Sequence, residues 1–476
     1  MTAQPVSTLP SLATIQHPTR EQRVTRGRVA RATVPRSRQA ELNLDPTRDP
    51  LALVEETVRD RIPELVPVRY GRMIDSPFSF YRGAAVIMAA DLSRTPNSGI
   101  QAQLCGDMHL ANFGMFATPE RNHVLDVTDF DETLLGPWEW DLKRLATSFE
   151  IAGRADGFTP ASRHAILHEL VRSYRMAMID FAAQGNLDVW YARLDIDTAM
   201  AEYQKRLPRQ ELKRKRKAVR KALTRDSEHA FERLTRLAGK ELRIASSPPL
   251  VVPMDELYGP VQRKRFEAAV RGMFRWYRAS LPGNRRALLE QYRVVDIARK
   301  AVGVGSVGTR CWIVLLIGVD RKDPLFLQIK QAQASVLEPY LGRSRYQNHG
   351  QRVWAGQRMM QSSSDIFLGW GRAPGIDGGS RDYYFRQLRD WKGSFVIENM
   401  SPGAMTVYAD ICGWSLARAH ARSGDRVAIA SYLGKGEVFD EAIAQFARAY
   451  ADVNDRDYEA LVRAVRVGRI KTRTGI

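Results

Sequence analysis

The sequence predicts an α+β protein with two lobes, in which a small antiparallel sheet is inserted after part of a mainly helical lobe. Three observations support this fold class. Helical periodicity dominates residues 46–290, short Gly-punctuated apolar segments typical of strands fill 291–395, and helical patterns return within 396–476. A chain of 476 residues is long enough for one large two-lobed domain or for two or three separate domains.

The individual elements follow in order along the chain. Predicted helices cover 51–63, the apolar part of 76–92 after an aromatic loop, 141–183, 197–240, 260–281, 404–420 and 437–465. Predicted strands cover 100–104 and 123–129, and about five more form the sheet after residue 291. The predicted parts are a disordered basic tail (1–45), a helical lobe (46–290), a sheet lobe (291–395) and C-terminal helices that complete the helical lobe (396–476).

Composition narrows the class of protein. The hydrophobic share of 44% and the charged share of 26% are ordinary for a globular protein. The three cysteines, Cys105, Cys311 and Cys412, have unrelated spacings, which argues against a disulfide framework or a Cys-based zinc site. Residues 1–45 lack the apolar segment of a secretory signal, and the longest apolar run, near 311–319, is too short to span a bilayer. We therefore expect a cytoplasmic protein with no membrane partner.

The net charge of +19 predicts a surface that attracts polyanions. Residues 20–38 carry seven arginines, and residues 205–221 carry ten basic residues and one Glu. The second run is either the polar face of a helix or an accessory contact to nucleic acid. Neither run has interleaved aromatic residues for base stacking, which argues against a module that reads RNA sequence.

The most informative segments are 104–112, LCGDMHLAN, and 123–132, HVLDVTDFDE. Phosphoryl transfer needs a carboxylate near the attacking hydroxyl, together with an amide oxygen and a second carboxylate that hold Mg²⁺ against the phosphates. Asp107, Asn112 and Asp129 supply these groups within 23 positions. A two-metal phosphoesterase also begins with a D-x-H pattern, but such a site gathers several histidines, and the eight histidines of this chain are widely scattered. Helix caps and surface carboxylates are the ordinary alternative for such acidic residues.

A second motif lies at 303–308, GVGSVG, which fits the pattern G-x-G-x-x-G. A Rossmann fingerprint would open a helix, but the residues that follow, TRCWIVLLIGV, are typical of a strand. A kinase glycine loop joins two strands over the phosphates and is followed by a strand lysine, which Lys330 matches 22 positions past Gly308. An ordinary Gly-containing hairpin is the alternative. The motif predicts a phosphate-binding site formed by Gly303, Gly305, Ser306, Gly308 and Lys330.

Two further residues complete the predicted nucleotide-binding lobe. Glu338 is the nearest candidate to pair with Lys330, although it also suits an exposed position on a helix. Gln387 lies near the end of the last predicted strand, where we expect the backbone of 387–389 to bind adenine as the hinge of a kinase does.

The order of these motifs is reversed relative to a kinase, because the glycine loop and lysine follow the Asp107 segment by about 200 residues. Either one element is accidental, or the chain is circularly permuted, which is tolerable where the termini lie at the surface. Permutation predicts that Lys330 approaches Asp129 and that the Gly303–Gly308 loop covers the same cleft.

The first motif resembles the aminoglycoside-phosphotransferase branch of the protein-kinase-like superfamily, with its G-D-x-H-x-x-N loop, D-x-D strand end and later Asp-Leu on a helix. By this resemblance Asp107 is the base for the acceptor hydroxyl, and Asn112 and Asp129 hold Mg²⁺. His109 shapes the catalytic loop, and Asp131 and Asp141 give structural support. The usual His before Gly-Asp is Cys105 here. The segment LARAH (416–420) is similar to the helix that precedes the catalytic loop in that branch.

Residues of about 45–465 also resemble a bacterial family called domain of unknown function 2252, which implies no substrate. The matching segments are SPFSFYRG, CGDMHLANFG, DFDET, GPWEWDLKRLATS, VGVGSVGTRC, SVLEPY, SDIFLGW and GWSLARAHARSGD. The function expected from both motifs is an ATP- and Mg²⁺-dependent phosphotransferase acting on a small-molecule or protein hydroxyl. Transfer of AMP by the same site, and a nucleotide-binding pseudokinase or basic nucleic-acid-associated protein, are the alternatives.

Overall fold

The computed structural model describes residues 17–203, 213, 227–238, 241–301, 303–374, 379–388, 391 and 393–475. Helices and antiparallel sheets are combined in this part of the chain, which confirms the α+β class. None of the helices within the described ranges is both long and apolar enough to cross a bilayer. The basic run at 205–221 lies outside the described residues except for Lys213.

The helices carry labels in chain order. They are α1 (Arg20–Thr33), α2 (Pro50–Glu56), α3 (Val66–Met73), α4 (Pro77–Gly83), α5 (Ala85–Leu92), α6 (Glu139–Ala155), α7 (Pro160–Ala183), α8 (Asn186–Tyr191), α9 (Ile196–Tyr203), α10 (Ser227–Leu234), α11 (Met254–Leu257), α12 (Pro260–Ser280), α13 (Gly283–Leu289), α14 (Glu338–Leu341), α15 (His349–Met360), α16 (Pro402–Ser423), α17 (Arg426–Leu433) and α18 (Val438–Arg466).

The strands are labelled in the same way. They are β1 (Gln101–Leu104), β2 (Phe113–Ala117), β3 (His123–Val127), β4 (Leu134–Pro137), β5 (Thr235–Ala238), β6 (Glu241–Ile244), β7 (Val251–Pro253), β8 (Arg293–Lys300), β9 (Cys311–Ile317), β10 (Pro324–Ala332), β11 (Gly369–Pro374), β12 (Ser380–Gln387) and β13 (Gly393–Ser394). The largest sheet is antiparallel, with the order β11-β12-β10-β9-β8-β7.

Helices that precede the large sheet in the chain and helices that follow it form the main core together. Helix α7 starts at the Thr159 cap and α16 at the Ser401 cap, where each hydroxyl accepts a backbone N–H of the first turn. The two helices approach so closely that a Cβ on Gly413 would lie 2.3 Å from the Leu170 carbonyl oxygen. The C-terminal helices therefore share one core with the helices that precede the large sheet.

The large sheet starts earlier in the chain than the sequence predicts. Strand β7 pairs with β8, and α12 covers one face of the sheet, with the rings of Tyr277 and Phe385 stacked at 4.0 Å. The boundary predicted at residue 290 is therefore wrong, since residues 251–289 pack on the sheet. The sequence predicts about five strands after residue 291, and within the described residues β8 to β12 are those five, with β7 as a sixth strand from before that boundary. All nine residues of β10 are buried because both faces of that strand are covered.

The predicted disordered tail is wrong over its second half. Helix α1 opens with a Thr19–Gln22 capping box and packs on α17. A Cβ on Gly27 would lie 2.2 Å from the Ala428 carbonyl oxygen, so this contact needs glycine. The Ser431 hydroxyl donates to the Val24 carbonyl at 2.8 Å. Arg23 and Arg26 also approach α17, each 3.7 Å from the Asp425 carboxylate at its start. The many arginines of this segment suggested disorder because their partners lie about 400 positions away in the chain.

Candidate active site

The two sequence motifs meet in one cleft. The Lys330 Nζ lies 2.6 Å from the Asp131 Oδ2 and 3.9 Å from the Asp129 Oδ1. The Ser306 hydroxyl donates to the same Asp131 oxygen at 3.1 Å. Residues of both motifs, Asp107 among them, line a cavity of about 550 Å³. Segments about 200 positions apart in the chain are therefore neighbours, as the permuted order predicts.

The Asp107 loop is held by a carboxylate from α6. Asp141 accepts the backbone N–H groups of Cys105 at 2.7 Å and Gly106 at 3.0 Å. Gly106 has a φ of 85°, and a Cβ there would lie 2.4 Å from the Glu132 carbonyl oxygen. Only glycine suits both conditions. Asp141 thus lies where the resemblance places a brace for the loop.

Asp107 lies at the edge of the cavity beside Arg144. The Nε and Nη2 of Arg144 donate to the Asp107 Oδ1 at 2.9 and 2.6 Å. Burial raises the pKa of Asp107 to about 7, against the opposing effect of Arg144. A carboxylate with a pKa near neutrality is suited to accept a proton at physiological pH. Sequence reasoning missed Arg144, although it lies on α6 three positions after Asp141 and therefore on nearly the same face of that helix.

His109 is buried and packs edge-on against Phe78, with ring centroids 6.2 Å apart. Its Nδ1 has no hydrogen-bond partner. Burial lowers the pKa of His109 well below its usual range, and the charges of Arg82 and Arg144 lower it further. The imidazole is therefore neutral, and its packing is that of a residue that shapes the loop and the cavity wall.

Asn112 and Asp129 both line the cavity. The Asn112 Nδ2 donates to the Asp107 carbonyl at 2.6 Å. This bond fixes the side-chain amide and leaves its Oδ1 as the acceptor atom. The Asp129 side chain is 42% exposed. Amide and carboxylate oxygens are the ligands that Mg²⁺ prefers. Within the described residues no group of three or more His, Cys, Asp and Glu could hold a metal, so an ion here would need phosphate or water ligands as well.

Asp131 is the carboxylate that pairs most closely with Lys330. Burial would raise the pKa of Asp131, but the Lys330 charge and hydrogen bonds from Lys330 and Tyr384 outweigh it and lower the pKa to about 2. The Tyr384 Oη donates to the Asp131 Oδ1 at 2.5 Å. Register explains this contact, because Lys330 and Tyr384 lie opposite each other on β10 and β12. Asp131 is therefore the ion-pair partner of Lys330 in the cleft, in addition to the structural support that the resemblance implies.

The expected pair between Glu338 and Lys330 is wrong. The Glu338 carboxylate accepts the Ser335 N–H at 3.3 Å and lies 3.8 Å from the His349 Nδ1. Glu338 opens the short helix α14 and is turned toward the start of α15. Lys330 is satisfied by Asp131 instead.

Gln387 does not reach the cavity of the glycine loop. It lies three positions past Tyr384 on β12, about 10 Å further along the strand. Its backbone N–H donates to Asp365, and it lines a separate cavity of about 70 Å³. A role in adenine binding stays a prediction from sequence.

Two arginines that precede β1, one in a turn and one on α3, hold the glycine loop. The Arg61 Nη1 donates to the Val307 carbonyl at 2.5 Å, and the Arg72 Nη1 donates to the Gly303 carbonyl at 2.5 Å. The Ile62 N–H donates to the Gly308 carbonyl at 2.8 Å. Sequence reasoning missed these contacts, since single arginines among helical segments carry no pattern that marks them as functional.

Comparison with known proteins gives one family. No curated protein and no solved structure matches the chain. The profile of a family described as "Uncharacterized protein conserved in bacteria (DUF2252)" matches residues 61–464. This range contains both motifs and all the residues that line the cavity except those before Arg61. The chain therefore belongs to the DUF2252 family.

Proposed function

We propose that this protein is a phosphotransferase with a circularly permuted, protein-kinase-like fold, which transfers a phosphoryl group from ATP to a hydroxyl. The observation that carries the proposal is the meeting of Lys330 with Asp129 and Asp131 under the Gly303–Gly308 loop. A kinase cleft needs this set of groups in one place, and a chance occurrence of either motif would not bring them together.

The contacts of α16 support the permuted order. This helix carries the LARAH segment, which resembles the helix before the catalytic loop of phosphotransferases. Here it touches that loop and its brace, with the Tyr408 Oη donating to the Leu110 carbonyl at 2.6 Å and the His420 Nε2 lying 3.4 Å from the Asp141 Oδ2. Joining the end of α16 to the start of the Asp107 segment would give the ordinary order of a kinase.

The proposed reaction uses the side chains of the cleft as follows. The acceptor oxygen forms a bond to the γ-phosphorus of ATP, and the bond from that phosphorus to the β,γ-bridging oxygen breaks, which leaves ADP. The hydroxyl proton passes to the Asp107 carboxylate. Lys330 and the glycine loop orient the phosphates, and catalysis is mainly positioning and charge compensation. Asn112 and Asp129 would hold Mg²⁺, which offsets the negative charge of the phosphates when bound.

Nucleotide binding tests the proposal directly. ATP with Mg²⁺ at millimolar concentration is expected to raise the melting temperature, and Asp129→Asn to abolish that rise. Asp180→Asn is the matched control, because Asp180 is an exposed residue of α7. Absence of any shift with the unaltered protein would contradict the proposal.

The label position in ATP separates the two transfer reactions. With a screen of hydroxyl acceptors, phosphoryl transfer moves a label from the γ-phosphate into the product, whereas AMP transfer moves a label from the α-phosphate. Binding without either product would identify a pseudokinase. Loss of γ-transfer in Asp107→Asn with nucleotide binding intact is expected for the proposed base.

A further inference from the structure

One wall of the cavity carries arginines without carboxylate partners. Arg61, Arg69 and Arg82 all line the cavity, and among the described residues none of them forms an ion pair. Two carboxylates of the same cavity differ, because Asp107 pairs with Arg144 and Asp131 pairs with Lys330. The wall formed by these three arginines is called the arginine wall below.

The hydrogen bonds of the arginine wall are incomplete. Arg69 is 1% exposed, and its Nη2 donates to the Gly83 carbonyl at 2.7 Å, but its Nε and Nη1 have no partner. The Nε of Arg82 is buried and also has none. Arg61 donates to the carbonyls of Thr57 and Val307, which are neutral groups. A buried guanidinium whose hydrogen bonds go only to neutral carbonyl groups is costly, and an anion in the cavity would offset part of that cost.

Burial lowers the pKa of all three arginines, that of Arg61 to about 10. A guanidinium nevertheless stays charged at neutral pH. Its planar set of N–H donors matches the oxygens of a phosphate or carboxylate. The charge of these arginines and the unpartnered donors of Arg69 and Arg82 therefore favour the same kind of ligand, an oxyanion.

We infer that the arginine wall binds an oxyanion group of the acceptor, a phosphate or a carboxylate, so that the substrate is an anionic compound that also carries a hydroxyl. The role as acceptor site rests on the proposed phosphotransfer, whereas oxyanion binding does not. Arg82 provides the link, because it lines the same cavity as Asp107 and Asp129. An anion held there places a neighbouring hydroxyl beside the proposed base.

Titration calorimetry of the full chain with inorganic phosphate tests the binding step. Arg69→Met keeps the length and apolar body of the side chain but removes the charge and donors. The affinity for phosphate is expected to fall about tenfold or more, the effect of losing a charge-assisted hydrogen bond. Arg463→Met, at an exposed position of α18, is the matched control and is expected to bind as the unaltered protein does. Equal affinity in Arg69→Met and in the control would overturn the inference.

Arg82→Met provides a second variant in case Arg69→Met does not fold. Arg82 is half-buried and forms no hydrogen bond within the described residues, so its loss removes little native structure. The same fall in phosphate affinity is expected. Retention of full affinity in a folded Arg82→Met protein would count against the arginine wall as the binding surface.

A competition experiment separates the acceptor from the nucleotide. With a saturating non-hydrolysable ATP analogue and Mg²⁺, phosphate is expected to bind within about twofold of its affinity in the free protein. If the analogue excludes phosphate and Arg69→Met weakens the analogue instead, the wall serves the nucleotide's own phosphates and the acceptor inference is wrong.

Failure of the proposed function is distinguishable from failure of this inference. Asp129→Asn is expected to lose nucleotide binding while it binds phosphate at least as tightly as the unaltered protein, because a nearby negative charge is removed. A protein that binds phosphate through Arg69 but never nucleotide would overturn the phosphotransferase and retain the oxyanion site.

Discussion

The two walls of the cavity differ in how their charges are compensated. On the acidic wall, Asp107 and Asp131 each accept strong hydrogen bonds from a cation of the protein, Arg144 and Lys330. On the arginine wall, the guanidinium of Arg69 has one carbonyl partner and two unused nitrogens. The acidic wall is thus organised by the fold itself, whereas the arginine wall has charge and donors to spare for a ligand. Changing one residue on each wall should therefore have unequal effects on stability.

The largest effect is expected for Lys330→Met. Removal of this cation leaves the Asp131 carboxylate with only Ser306 and Tyr384 as donors in a buried site. Breaking one side of a buried ion pair costs about 4 kcal/mol of unfolding free energy. Denaturant unfolding measures it, with the exposed Lys322→Met as control. The double variant Lys330→Met/Asp131→Asn should recover part of the loss, and a neutral effect of the single change would show that the pair does not organise the acidic wall.

Asp141→Ala is expected to come next, at about 3 kcal/mol. The change removes the acceptor of two backbone N–H groups, those of Cys105 and Gly106, and each buried donor left unsatisfied costs free energy. The same unfolding measurement applies. Loss of nucleotide binding should accompany it, because the loop that carries Asp107 is no longer held. Unchanged stability would mean that solvent enters and satisfies both donors.

Stability at acid pH should report on Asp131. Its pKa is lowered from 3.8 to about 2 in the folded protein, so the folded state holds this proton less tightly than the unfolded state. The resulting stabilisation, about 2 kcal/mol, is present above pH 3.8 and is lost as the pH falls toward 2. The difference in unfolding free energy between the unaltered protein and Asp131→Asn is expected to shrink over that window. A constant difference would exclude the lowered pKa.

Asp107 should produce the opposite slope in a higher window. Its pKa is raised from 3.8 to about 7, so the folded state holds the proton more tightly than the unfolded state. Stability is therefore lost as the pH rises from 3.8 through 7. Unfolding of Asp107→Asn across this range should lack that component of the decline. Identical pH profiles for the two proteins would show an ordinary pKa for Asp107.

The smallest effect on stability is expected for Arg69→Met, within about 1 kcal/mol of the unaltered protein. Loss of the bond to the Gly83 carbonyl is offset by removal of an uncompensated buried charge. The comparison with Lys330→Met is the sharpest one, since Arg69 lines the cavity and Lys330 pairs with the cavity residue Asp131, and both are buried cations. A loss as large as that of Lys330→Met would mean that Arg69 already has its charge compensated in the ligand-free fold.

The sequence alone determined the α+β class and the set of groups at the centre of the cleft. Local patterns sufficed for Asp107, Asn112 and Asp129, because a tight loop and a strand end need particular residues at fixed spacing. They also sufficed for the loop at 303–308, whose glycines lie between two strands. The membership of the chain in its bacterial family follows from the same segments.

Only the tertiary structure decided which side chains compensate one another. Asp131 rather than Glu338 pairs with Lys330, because strand register places Tyr384 beside the lysine and α14 turns Glu338 away. The arginine wall could not be predicted from the sequence for the same reason. Arg61, Arg69 and Arg82 lie on separate helices or turns, and only the packing of these elements brings them to one cavity. Charge compensation depends on distance and burial, and neither is encoded in the spacing of residues along the chain.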